Sequence, residues 1–172
     1  MIYGLMIKSL MNPNMFHIKK VMAIFAVLLV ASCIQDELCE DITDNPLRIG
    51  FYTFEDGQNT PISVDSITVF GLEHEDFLYN NQYNVGRIEV PLNMSVDSCV
   101  FVLVFPESTD TLKLLYERNL SLVSVECGFV TFYDIFDVQT TNNSIQSYSI
   151  EENNVTNTNE EHLHIILYPV AD

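Results

Sequence analysis

The stretch Val21–Cys33, VMAIFAVLLVASC, decides how much of this chain is available to fold. It is an unbroken apolar run led by Lys19 and Lys20 and closed by small residues before a cysteine. A bilayer-crossing helix takes roughly 20 apolar residues. This run is shorter, and its order of basic, apolar and small segments is that of a secretory leader. Residues 1–32 are therefore expected to be removed. Met15 is the cleaner start, because Met15–Lys20 makes a compact basic head and residues 1–14 do not. The remaining chain of about 140 residues is expected to fold outside the cytoplasm, and is long enough for one domain with a proper core.

Val30-Ala31-Ser32-Cys33 resembles the processing motif of bacterial lipoproteins, with valine where leucine is commoner. A signal anchor, or a leader with a chance cysteine, is the alternative. The resemblance implies that Cys33 becomes the first mature residue. Its thiol would carry a diacylglycerol and its freed amine a further acyl chain, palmitate being typical. Each buried methylene contributes about 0.8 kcal/mol, and stable anchoring takes two signals, which several chains on one cysteine supply. The expected location is the cell envelope, lipid-anchored in the outer membrane and facing either the periplasm or the surface. Gln35-Asp36-Glu37 loosely matches the acidic export signal of surface lipoproteins in Bacteroidetes.

Removing the leader also changes the charge. Lys8, Lys19 and Lys20 go with it, and Arg48, Arg87, Lys113 and Arg118 stay. All 24 acids follow Cys33, so four bases against 24 acids leave −20. Nucleic acid and anionic head groups repel such a chain, so no nucleic-acid partner is expected. The membrane is the expected partner, through the lipid. A further protein or glycan partner is not specified. An acidic surface can attract cations, but a solvated exterior explains it as simply.

Three cysteines follow Cys33, and exported chains fold where disulfides form. Cys39 lies in a polar lead-in that has little else to hold it, which favours a Cys39–Cys127 bridge. That bridge would contribute about 4 kcal/mol by restricting the unfolded chain. Cys99 lies in an apolar strand, where a thiol behaves as a small hydrophobe. Cys99–Cys127 is the alternative.

Valine, isoleucine, threonine and aromatic residues are abundant and long helical periodicity is missing, so strands are expected throughout. Residues 33–45 read as an acidic tether and 46–172 as the domain. Strands are predicted at Leu47–Phe54, at Ile62–Leu72 with a phase change near Ser66, and at Arg87–Leu92. Glu55–Asn59 is a turn in which Gly57 takes positive φ. Gly71–Gly86 reads as a polar loop. Ser98–Phe105 is apolar on both faces and should be central and fully covered. It turns at Pro106–Ser108 into Thr109–Tyr116. Leu120–Phe136 is one long strand or two short ones, with Gly128 at a kink or bulge. Thr140–Asn159 is a loop containing a short strand at Ile145–Ile150, and Leu163–Tyr168 is the last strand. The fold class is all-β: a single antiparallel β-sandwich, Ig-like or transthyretin-like.

The order of several short motifs resembles an uncharacterised family of short Bacteroidetes envelope lipoproteins. They are Cys33 with Cys39, Asn45–Tyr52, Tyr116-Glu117-Arg118, Ser124–Phe129 and Glu161-His162-Leu163. The resemblance implies an envelope location and a Cys39–Cys127 bridge. It implies no activity.

His162 and His164 share one face of the last strand and are the candidate metal pair. The simpler reading is an edge strand with a polar outer face. Glu73-His74-Glu75-Asp76 is a candidate loop for a hard cation, though no D-x-[DN]-x-[DN]-G sequence accompanies it. Asp65-Ser66-Ile67 and Asp110-Thr111-Leu112 match an O-glycosylation sequon of Bacteroidetes envelope proteins, making Ser66 and Thr111 candidate glycan sites. Nucleophile-elbow, phosphate-loop and Cys/His signatures are missing, and no cofactor is expected. The expected role is non-enzymatic, in binding or structure. A carboxylate-dependent envelope hydrolase and a fimbria-associated or adhesin-type subunit are the alternatives.

Overall fold

Apolar side chains recurring at every second position put one face of each strand into a shared core. A computed structural model describes residues 45–73, 76–125 and 128–169. These form eleven strands and no helix, so no described helix is long and apolar enough to cross a membrane. In the first sheet, β1 (Leu47–Glu55) carries β2 (Gln58–Pro61) and β5 (Arg87–Val90) end to end along one edge. β11 (Leu163–Leu167) lies along its other edge, and β9 (Ile145–Ile150) lies beyond that. The second sheet runs β10 (Asn154–Val155), β8 (Gly128–Thr140), β7 (Thr109–Ser124), β6 (Ser98–Val104), β3 (Val64–Gly71), β4 (Phe77–Val85). Every pairing is antiparallel except β1 with β11. The two sheets pack as the expected β-sandwich.

Leu47, Ile49 and Phe51 of β1 and Leu163 and Ile165 of β11 face Leu103, Leu112, Leu114 and Tyr116 of the second sheet, all fully buried or nearly so. Tyr116 and Tyr133 meet edge to face, with ring centres 5.3 Å apart, and close one end of the core. Phe51 and Phe105 do the same, 6.1 Å apart, elsewhere in it. Such pairs add about 0.5–1.5 kcal/mol beyond their buried area.

The β1–β2 hairpin turns at Asp56 and Gly57, with φ of 52° and 80°, as an Asp-Gly turn requires. Other expectations need correction. Gly71–Gly86 is not a loop, because Phe77–Val85 forms β4 on the sheet edge. It was illegible because both its faces are exposed, which erases the alternation. The phase change predicted near Ser66 lies a little later. β3 and β4 stay in register through Ile67 and slip between Ile67 and Val69 and again between Val69 and Phe70. Asn81, at φ 45°, absorbs one extra β4 residue while its N–H donates to Thr68 Oγ1 at 2.9 Å. β6 is covered only in its middle, Phe101–Leu103, and its first three residues are half-buried. Gly128 pairs with Ser124 where the β7–β8 register shifts, so the irregularity expected at this glycine falls at the start of a strand rather than within one. At φ 74° it opens β8 just after the turn from β7. β11 is central, not an edge, because β1 and β9 pair on its two sides.

Candidate functional site

Three places bring chemistry together. The first is the outer face of the first sheet, where alternation sends Arg48, Gly50 and Tyr52 of β1, His164 of β11, and Arg87 and Glu89 of β5 away from the core. The Tyr52 ring stacks on the His164 imidazole at 4.0 Å. The Tyr52 hydroxyl donates to Glu161 Oε2 at 2.8 Å, and His164 Nε2 lies 3.1 Å from the same oxygen. On the other side, His164 Nδ1 is 3.3 Å from Glu151 Oε1, which also accepts from Ser149 Oγ at 2.6 Å. Burial, and then the Glu161 carboxylate, push the Tyr52 phenol up to about 12. Gly50 makes the room: a Cβ there would meet the Glu161 carboxylate and come 2.8 Å from the Tyr52 ring. Beside this group Glu89 Oε1 bridges Arg48 Nε at 3.2 Å and Arg87 Nη2 at 3.3 Å. The two guanidinia also hold the Thr158 carbonyl and Asn159. Two of the four basic residues that follow Cys33 are thus committed to pinning this segment.

His162 does not join His164. It is fully buried, and its Nδ1 accepts the Arg48 N–H at 3.1 Å while its backbone N–H donates to the Arg48 carbonyl at 3.0 Å. Its Nε2 is buried without a partner. Burial, and then the Arg48 cation, hold its pKa below the ordinary 6.5. The imidazole is therefore neutral at pH 7, as an Nδ1 acceptor must be. Among the described residues, no three His, Cys, Asp or Glu side chains are grouped to hold a metal ion.

The second place is Asp110, which the sequence offered only as part of a sequon. It is fully buried, and its carboxylate accepts from Thr141 Oγ1 (2.7 Å) and from the N–H groups of Asn143 (2.9 Å), Ser144 (2.7 Å) and Ile145 (3.1 Å). It shapes the turn that leads into β9. Thr111 beside it is half-buried on the opposite face of β7. Ser66 is half-buried next to the exposed Asp65.

The third is one end of the sandwich. β6 leaves β7 after Leu115, and β10 covers β8 only at Tyr133 and Asp134. Beyond these, Asn119–Ser124 and Gly128–Phe132 stay paired as a ribbon about 20 Å long, with Val130 buried on the face turned away from the core. Its tip exposes Leu120 (67 %), Leu122 (57 %), Val125 (89 %) and Phe129 (64 %). At the same end a groove of about 700 Å³ is lined by Leu72, Leu92, Met94, Cys99 and Phe101. Cys99 is a free thiol. Burial pushes its thiol up to about 11, against lesser lowering contacts from Tyr116 and Asn93, and leaves it a weak nucleophile. Ten of the fifteen large apolar side chains exposed among the described residues lie at this end. Asn45 lies here too, its Nδ2 donating to the Thr131 carbonyl of the ribbon at 3.0 Å.

Cys33, Cys39 and Cys127, the leader, and His74 and Glu75 of the acidic loop lie outside the described residues. Glu73 and Asp76 line the groove.

A family model described as a family of unknown function, DUF6452, matches residues 66–167. The match opens in β3 and closes at the end of β11, leaving β1 and β2 outside it. No curated protein and no solved structure matches the chain.

Proposed function

We propose that this chain, which belongs to the DUF6452 family, is a lipid-anchored protein of the bacterial cell envelope with a non-enzymatic binding or structural role. The observation that carries the reading is Val21–Cys33, followed by an acidic tether that enters the sandwich at its apolar end through Asn45. Cys33 is the acylated residue, and Cys39 pairs with Cys127. The bridge is supported by reach. Asn45 holds the tether beside Thr131, four residues from Cys127, and the six residues back to Cys39 span up to about 20 Å.

The polar groups on the outer face of the first sheet serve structure. A carboxylate-dependent hydrolase would draw its acids from Glu151 and Glu161. Each oxygen of theirs that meets His164 also accepts a hydroxyl, from Ser149 or Tyr52, which favours an orienting role. The fimbria-associated reading draws on the exposed apolar side chains of the ribbon, Leu120, Leu122 and Phe129, against which a donated strand could pack.

Cells fed an alkynyl palmitate test the anchor. The wild-type chain should be labelled and Cys33→Ala should not; labelling of both, or of neither, removes the anchoring reading. Peptide mapping without reductant should find Cys39 joined to Cys127, with Cys99 open to alkylation after unfolding.

A further inference from the structure

The apolar end needs an occupant, and the position of the tether says which. The chain outside the described residues ends at Asn45, which is hydrogen-bonded to the base of the ribbon. Eleven residues separate Asn45 from Cys33. As a coil they span about 20 Å, and fully extended no more than about 40 Å. The ribbon runs from Thr131 to its turn over a further 10 Å or so. An acyl chain on Cys33 therefore keeps the ribbon tip within reach of the lipid surface.

The composition of the tip fits that surface. Leu120, Leu122 and Phe129 share the ribbon face that continues the core side of β7 and β8, now with no first sheet opposite them. Val125 stands at the turn with 89 % of its surface free. Arg118, the one basic residue near the ribbon, is bound to Asp97 and to the Met94 carbonyl. The tip thus offers apolar surface without a free cation. With −20 on the chain that follows the leader, attraction to anionic lipid cannot be the driving force.

We propose that the tip of the β7–β8 ribbon docks through Leu120, Leu122, Val125 and Phe129 into the interface of the bilayer that holds the acyl chains of Cys33. The ribbon is then a second, reversible membrane signal, and it sets the orientation of the sandwich on the membrane. The proposal rests on the acylation of Cys33. The preferred surface is zwitterionic, because the acidic domain resists approach to anionic head groups.

The chain contains no tryptophan, so a single one reports on its own position. Val125→Trp places it at the tip, and Phe129→Trp is a second tip reporter. Tyr168→Trp places it at the opposite end, where Tyr168 is half-exposed. The processed, acylated protein is reconstituted into phosphatidylcholine vesicles with and without brominated acyl chains. Docking predicts blue-shifted emission from both tip variants, quenched by the brominated chains, and water-like, unquenched emission from Tyr168→Trp. It also predicts that replacing part of the zwitterionic lipid with phosphatidylglycerol weakens the quenching. Water-like emission from the tip overturns the proposal, as does a blue shift that brominated chains leave unquenched, which would mean that protein covers the tip. Flotation separates the two readings. Protein that floats with vesicles while its tip stays wet loses only the docking, whereas protein that does not float loses the anchor as well.

Discussion

The β7–β8 hairpin carries one alternating pattern through two surroundings. In its lower half Leu112, Leu114 and Tyr116 are fully buried against the first sheet. In its upper half Leu120, Leu122 and Phe129 continue the same face and stay more than half exposed. The pairing of the two strands is continuous apart from slips between Leu115 and Tyr116 and between Leu122 and Ser124. Backbone hydrogen bonding therefore does not separate the halves; coverage does. A leucine buried in the lower half stabilises the fold, and a leucine in the upper half is available to something outside it.

Substitutions can break this comparison or sharpen it. Leu114→Ala should show the largest effect, about 3 kcal/mol lost in urea unfolding, since it removes a fully buried side chain and leaves a cavity. Asp110→Ala should cost about 2–3 kcal/mol by stranding the N–H groups of Asn143, Ser144 and Ile145, and amide exchange at those three should accelerate. His162→Ala should cost about 2 kcal/mol by removing the acceptor of the Arg48 N–H.

His162 also gives the fold a pH dependence with a fixed sign. Its folded pKa lies below 6.5, so the unfolded chain binds the proton more readily. The stability it confers is complete above pH 6.5 and falls as the pH drops below that value. His162→Phe should flatten that part of the unfolding profile. Gly50→Ala should cost about 1 kcal/mol, because the flexible Glu161 side chain can move aside once its bond to Tyr52 breaks. Leu122→Ala should change stability by less than about 0.5 kcal/mol in the vesicle-free protein. A loss at Leu122 equal to that at Leu114 would mean that the upper ribbon belongs to the folding unit.

The same contrast explains what could be read from the sequence. Where one face of a strand is apolar and the other polar, as in β1, β5 and β11, the pattern located the strand to within a residue or two. β4 was missed because an edge strand exposed on both faces has no period to read. The shared face expected of His162 and His164 failed because β11 begins only at Leu163 and the His162 ring turns in to accept the Arg48 N–H; the neighbours of β11 were not legible either. Pairing with β1 is a parallel contact across more than a hundred residues, and no local pattern encodes it. Nor could alternation tell Leu114 from Leu122, since each is a leucine at the same phase of one strand. The Tyr52–His164–Glu161 stack needed three strands or loops to meet, and its one sequence trace is Gly50, which reads as an ordinary small residue until its neighbours are placed. Asp110 carried a visible signal, an acid within a strand of apolar alternation, but its partners lie more than thirty residues away.

The claim that the uncovered half of the hairpin faces lipid has a direct test in neutron reflectometry of the acylated protein on a supported phosphatidylcholine bilayer. Docking predicts protein density continuous with the head-group layer, with the bulk of the sandwich standing off by about the 20 Å length of the ribbon. A water layer separating all of the protein density from the head groups would contradict it.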